Sequence, residues 1–397
     1  MKCFSIRLIG LLISNLFFWL SLIVISFNYY RCRDPLPDEF INSLGDNKVN
    51  SMMVVVISYP RITQSFQDYQ VKYTYNAKDF VWRLRTNLTN EYGIGDTLKI
   101  TGSITPTKTS YDKSKGISGV LWYPQITLSS QGSGLLNLIN SFRNEVFEMI
   151  YQRWHGTQAT LMAGLLFGAD LPYSTELKND FKLSGTLHLI AVSGFNINLV
   201  GNGIMQLSVL FGRRKISILT SIILYLYYLL VGWESIPCLR AFIMYTFDTF
   251  GKSIGRKSGL FQSLGFSLLI ISIIWPYSLF DFALQLSFLA SFGLILLQVI
   301  IKKFNIIHIK WYVSAFLTSL SCSLATLPIL IRLGNLPSYR TLIANTITSP
   351  LIIYTVLLGV FTLISELILG FRIDVLVMLT DLILQTLLFF ISFSARL

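Results

Sequence analysis

The feature that most limits this chain is a series of long blocks free of charged residues. Such apolar runs occupy residues 8–28, 185–211, 216–233, 259–280, 282–301, 311–331 and 341–365. Two more, 236–250 and 375–395, are interrupted only by Arg240 with Asp248 and by Asp381. A helix rises about 1.5 Å per residue, so about 20 apolar residues match the hydrocarbon thickness of a bilayer. The blocks predict a polytopic α-helical membrane protein of about nine spans, some of them broken. Only 13% of the 397 residues are charged, where a soluble domain averages about 25%. That shortage excludes an ordinary soluble enzyme and a disordered chain. The four cysteines show no Cys-x-x-Cys spacing, so neither a disulfide scaffold nor a zinc centre is indicated.

Residues 1–30 read as an N-terminal transmembrane anchor. The apolar run is longer than a signal-peptide core, and no Ala-x-Ala site follows it. Residues 31–130 change character. The runs 49–58, 69–77, 79–87, 96–106 and 119–128 alternate with period two between turn clusters such as Gly93–Asp96. Five strands in about a hundred residues predict a small antiparallel β-barrel or sandwich. The phrase GDTLKITGSI, with Gly102 in mid-strand, is similar to part of an OB-like barrel. Residues 131–182 carry apolar positions at helical spacing, among them Leu135, Leu138, Phe142 and Val146, and read as amphipathic, interfacial helices. Residues 183–397 are the spanning domain.

The net charge of +12 has two readings, cytoplasmic loops or a polyanionic partner. Basic clusters at Arg213–Lys215, at Lys252/Arg256/Lys257 and at Lys302/Lys303/Lys310 are separated by two blocks each, so all three reach one side. The positive-inside rule makes that side the cytoplasm, which leaves residues 31–184 extracytoplasmic and Met1 inside. Block 185–211 is too polar for a lipid-facing helix, because it holds His188, Ser193, Asn196, Asn198 and Asn202. Polar groups in hydrocarbon need partners, so this segment either faces a wet cavity with its helix broken near Ser193–Gly194, or packs closely through small residues. Arg240 at bilayer depth costs at least about 3 kcal/mol unless it is paired or hydrated. It either pairs with Asp248, Asp281 or Glu234, or lines a conduit for phosphate. Three histidines cannot build a multi-histidine metal centre, and no phosphate-binding Gly-x-x-x-x-Gly-Lys loop is present. Ser193 and His188, five residues apart, would not face each other as a catalytic pair. The expectation is a non-enzyme without metal or cofactor.

The stretch GLLFGADLPYSTELKNDFKLSGTLHLIAVSGFNINLV (164–200) resembles the signature of the ComEC competence-protein family. PCLRAFIMY (237–245), SLFDFALQLSFLASFGLIL (278–296), TLPIL (326–330) and ANTITSP (344–350) follow in the family's order. The chain departs from the pattern at Asn196, Trp275 and Leu284. The resemblance implies a channel passing single-stranded DNA inward across the cell membrane during natural transformation. His188, Ser193, Asn196, Asn198, Asn202, Arg240, Gln285, Ser287 and Asn345 would line the passage. Lys72, Tyr73, Tyr75, Trp82, Arg83 and Arg85 on the barrel would hold DNA by stacking and phosphate pairing. For each aromatic, a place in the barrel core is the competing reading. The chain stops after its last span, so the metallo-β-lactamase-like domain of many relatives is expected to be missing, with a separate nuclease in its place. An outer DNA receptor, a cytoplasmic helicase-like ATPase, membrane lipid and further copies of the chain complete the implied partners. The alternative is a secondary transporter or channel for a small anionic solute.

Overall fold

The computed structural model describes residues 20–21, 23–25, 48–75, 78–88, 91–107, 112, 115–132, 134–169, 173–190, 192, 194–232, 235–255, 259–304, 310–334 and 338–397. Most of the N-terminal anchor expected at 1–30 lies outside them, as do Ser193 and Glu234.

The alternating segments form seven strands: β1 (Lys48–Val56), β2 (Arg61–Ile62), β3 (Gln67–Tyr75), β4 (Lys78–Thr86), β5 (Thr97–Pro106), β6 (Ile117–Trp122) and β7 (Gln125–Ser130). The sheet runs β1-β3-β4-β6-β5, and β1 also pairs with β5, which closes a five-stranded barrel. All its pairs are antiparallel except β4 with β6. This is the Greek-key closure of an OB-like barrel. Period two sends Phe80, Trp82 and Leu84 inward, against Val54, Val71, Leu98, Ile100 and Leu121. Each such side chain contributes about 1.5–3 kcal/mol when fully buried. The run expected as one strand at 119–128 is two, broken at Trp122–Tyr123–Pro124, where Tyr123 adopts φ 45°. At the crossing, a Cβ on Gly102 would meet Pro124 at 2.8 Å, so only glycine fits that mid-strand position.

Helix α1 (Leu135–Arg153) couples the barrel to the helices. Asn140 donates to the Ile94 carbonyl at 2.9 Å and accepts from the Tyr59 hydroxyl at 3.1 Å. Arg143 lies 3.7 Å over the Tyr59 ring and donates to the Leu230 carbonyl at 3.2 Å. Burial draws its guanidinium down to about 10 and raises the Tyr59 phenol, so the cation and the neutral ring persist together at neutral pH. Meanwhile Leu135 and Leu138 point outward, an inversion of the usual amphipathic pattern that suits an interfacial position. Asn140→Ala strands the Ile94 carbonyl in a buried place. It is expected to cost about 1–3 kcal/mol, read as a lower thermal midpoint in detergent.

Then follow α2 (Gly156–Phe167), α3 (Thr175–Leu183), a 3-10 turn (Leu187–Leu189), α4 (Gly194–Met205), α5 (Arg213–Val231), α6 (Ile236–Ser253), α7 (Leu260–Ile274), α8 (Phe282–Lys303), α9 (Trp311–Arg332), α10 (Tyr339–Leu369) and α11 (Asp374–Arg396). Among the described residues six segments are long and apolar enough to cross a membrane: Leu187–Met205, α5, α8, α9, α10 and α11. The expected count of nine is not reached. Of the remaining three blocks, 8–28 lies mostly outside the described residues, α6 carries Arg240, Asp248 and Lys252, and α7 has only 15 residues. Helices α10 and α11 run antiparallel, since the start of one meets the end of the other in the Tyr339–Leu397 hydrogen bond, and α9 packs on α8 through Ser321 and Gly293. The α5–α6 and α7–α8 turns face the barrel, where Gly232 adjoins Tyr59 and Gly116 adjoins Tyr277. The basic residues Arg213–Lys215, which open α5, and Lys302–Lys303, which close α8, lie at the helix ends away from those turns.

Candidate functional site

Arg240 enters the bundle on the second turn of α6, just below the barrel. It is only 6% exposed. Its Nε donates to Ser287 Oγ on α8 at 3.1 Å, and Nη1 approaches Met244 Sδ at 2.9 Å. A thioether is a weak acceptor, so the charge is poorly satisfied. No carboxylate among the described residues pairs with it. Asp248 pairs with Lys252 instead, and Asp281 caps α8 by accepting from the Ala283 amide at 2.9 Å. These two ion-pair readings of Arg240 are corrected: Lys252, one turn from Asp248, takes the partner that Arg240 would have shared across two turns.

The guanidinium lies against the first turn of α4. A Cβ on Gly194 would sit 3.7 Å from Nη2 and 3.1 Å from Ala241 Cβ. The first amides of a helix lack internal acceptors and carry partial positive charge. Among the described residues no anion stands between this buried cation and the helix N-terminus. That arrangement repels unless a negative group enters, and a phosphate or carboxylate is what such a pair binds.

The other expected lining residues spread over the bundle. His188 accompanies the 3-10 turn before α4; its Nδ1 is 3.1 Å from the Gly185 carbonyl, and the residue is exposed. Asn198 and Asn202 are exposed, and Asn202 accepts from the Tyr245 hydroxyl. Gln285 is turned to the Leu279 carbonyl. Asn345 reaches Ser319 Oγ at 3.4 Å between α10 and α9, away from Arg240, and its Oδ1 is buried without a partner. Asn196 is a correction. It is enclosed and donates to the Leu165 carbonyl at 2.6 Å, because α2 ends beside it with an unsatisfied acceptor; it ties α4 to α2.

On the barrel, Trp82 is the second correction: its indole is 0% exposed, since period two turns it into the core. Tyr73 stacks on it with centroids 5.0 Å apart, and Tyr75 stacks on Tyr73 at 6.2 Å, so Tyr75 is the ring that reaches solvent. Lys72 and Asp79 form an exposed pair, and Arg83 is paired with Asp112. Arg85 is held by Asp68 through two bonds of 2.7 and 2.8 Å. Its guanidinium lies 3.6 Å from the Phe66 centroid and 4.7 Å from the Trp122 ring. Trp122 and Tyr123 are 47% and 51% exposed. Sequence reasoning passed over them inside an apparent strand; the signal was Pro124, which halts strand pairing.

The family model described as "Competence protein" matches residues 165–397. The chain belongs to the competence-protein family. Gly194, Arg240 and Ser287 fall inside the matched stretch, and the barrel precedes it. The chain is similar to ComE operon protein 3 of Bacillus subtilis (strain 168), with 28% identity over 174 residues. That alignment covers 43% of this chain and 22% of the relative's length. No solved structure matches. Family membership and the apolar helices together make this competence protein a multi-pass membrane protein.

Proposed function

We propose that this family member conducts single-stranded DNA into the cytoplasm during competence, with Arg240 and the α4 N-terminus forming the point that admits phosphodiesters. The observation that carries the reading is a buried guanidinium with no carboxylate partner among the described residues, directly beneath the loops of an OB-like barrel. In such barrels these loops and the adjoining strands bind oligonucleotides. Here the β1–β2 loop meets Gly232 through Tyr59 and the loop before β6 meets Tyr277, so a strand leaving the barrel arrives at the turns preceding Arg240 and Ser287. The basic loops at the opposite end favour a cytoplasmic placement of that end and an outside barrel. The seam is closed around Arg240 in this conformation, so passage requires α4, α6 and α8 to separate. An outer DNA receptor, a helicase-like ATPase and a separate nuclease would complete the route.

The anion point alone would equally serve a small anionic solute, and the exposed aromatics on the barrel are what favour nucleic acid. Uptake of labelled DNA by a deletion strain, with and without the restored gene, tests the proposal. Restored uptake supports it. Unchanged uptake in the deletion strain, with anion flux in reconstituted vesicles, would transfer the assignment to the small-solute reading.

A further inference from the structure

Beside the ion pair of Arg153 with Glu366 lies a cleft of about 520 Å³, formed where α1 meets α2 and where α11 begins. Trp154, 1% exposed, belongs to its wall. Arg153 also lines it but is engaged by Glu366, with Nε 2.8 Å from Oε2. The other formally charged residues of the lining are Arg372, Asp374 and Asp381. Arg372 and Asp374 pair with each other, yet both side chains are largely exposed, and an exposed pair holds together by only about 0–1 kcal/mol. A ligand bearing both signs can therefore open it at little cost. Asp381 lies two turns farther along α11, with one oxygen accepting from Gln385 at 2.7 Å.

The apolar surroundings give the ligand its second half. Val375, Met378 and Leu382 are all exposed and follow one another at helical spacing. They form a stripe that starts at the cleft and continues along α11, one of the apolar spans. A charged recess at a helix end, continued by a bare hydrocarbon track, has the anatomy of a phospholipid seat. The signs then select among lipids. A purely anionic headgroup meets two carboxylates, whereas a phosphate joined to a primary ammonium satisfies both Arg372 and the two aspartates. Three N–H donors on that ammonium suit carboxylate acceptors; a trimethylated nitrogen has none to offer.

We propose that this cleft seats one phosphatidylethanolamine molecule, its phosphate on Arg372, its ammonium between Asp374 and Asp381, and an acyl chain along Val375, Met378 and Leu382. The proposal is independent of what the bundle conducts. Native mass spectrometry of the purified full-length protein, with phosphatidylethanolamine, phosphatidylglycerol or phosphatidylcholine added in turn, tests it. One retained phosphatidylethanolamine per chain is expected, at an affinity about tenfold above the other two. Asp381→Asn should erase the preference over phosphatidylcholine, and Arg372→Gln should weaken all three lipids. Both positions are partly exposed, and an unchanged thermal midpoint will confirm folding. Equal retention of the three lipids, preference for phosphatidylglycerol, or a preference that survives Asp381→Asn in the folded protein would each overturn the assignment.

Discussion

Arg240→Gln is expected to reduce uptake of labelled DNA by at least about a hundredfold while leaving the protein in the membrane at normal abundance. The substitution keeps an N–H donor at about the position of Nε, toward Ser287, and removes the charged tip of the guanidinium. A charge-assisted hydrogen bond contributes about 1.5–3 kcal/mol, and a desolvated phosphate loses more when its cation is withdrawn. Each 1.4 kcal/mol is tenfold in rate, so a loss of about 3 kcal/mol at a point every phosphodiester passes reaches that hundredfold. Folding responds in the opposite sense. A buried guanidinium with no carboxylate partner among the described residues destabilises the bundle, so its neutralisation should leave the thermal midpoint equal or higher. This opposition separates a functional cation from a structural one, because loss of a structural ion pair lowers both quantities. Arg240→Lys should retain partial uptake, since the ammonium keeps the charge but not the planar donor fork. Wild-type uptake in Arg240→Gln would end the case for an anion point here.

Much of the architecture was legible because it follows from periodicity. Alternation alone assigns Phe80, Trp82 and Leu84 to one face of β4, and apolar length marks six of the spans. The alternation could not say which face became the interior. Closure of the barrel through β1 and β5, a contact far apart in sequence, made the aromatic face the core and removed Trp82 from the surface. Arg240 stood out as a charge in an apolar block, but its isolation was not legible. Asp248 shares its helix face at eight residues, and only the three-dimensional arrangement shows Lys252 holding that carboxylate. Likewise Phe66, Arg85 and Trp122 belong to three separate segments that the β3–β4 and β4–β6 pairings bring together.

That three-part stack leads to the second large effect. Trp122→Ala is expected to weaken binding of short single-stranded oligonucleotides to the purified protein by about ten- to a hundredfold, because one stacked base contributes about 1–3 kcal/mol. The physical basis is preorganisation. Asp68 fixes the Arg85 guanidinium, which lies over the Trp122 ring, while Trp122 Nε1 donates to Thr105 Oγ1 at 2.9 Å. The indole is thus oriented before any base arrives, and ordering it costs the complex little. Tyr123 is turned beside it by a left-handed backbone that a tyrosine adopts only under strain, and its amide is held by the Arg85 carbonyl at 2.9 Å. Strain of this kind, retained next to two exposed rings, is consistent with a binding edge rather than a passive turn. Quenching of Trp122 fluorescence on titration with oligothymidine, in a background where Trp82 is the buried reference, checks the contact directly. Trp82→Ala forms the contrast: it empties the barrel core at a cost of about 3–5 kcal/mol and should abolish folding of the barrel instead of weakening one contact. Oligonucleotide affinity unaffected by Trp122→Ala would move the interface to the Tyr73–Tyr75 edge, where Tyr75→Ala then carries the loss.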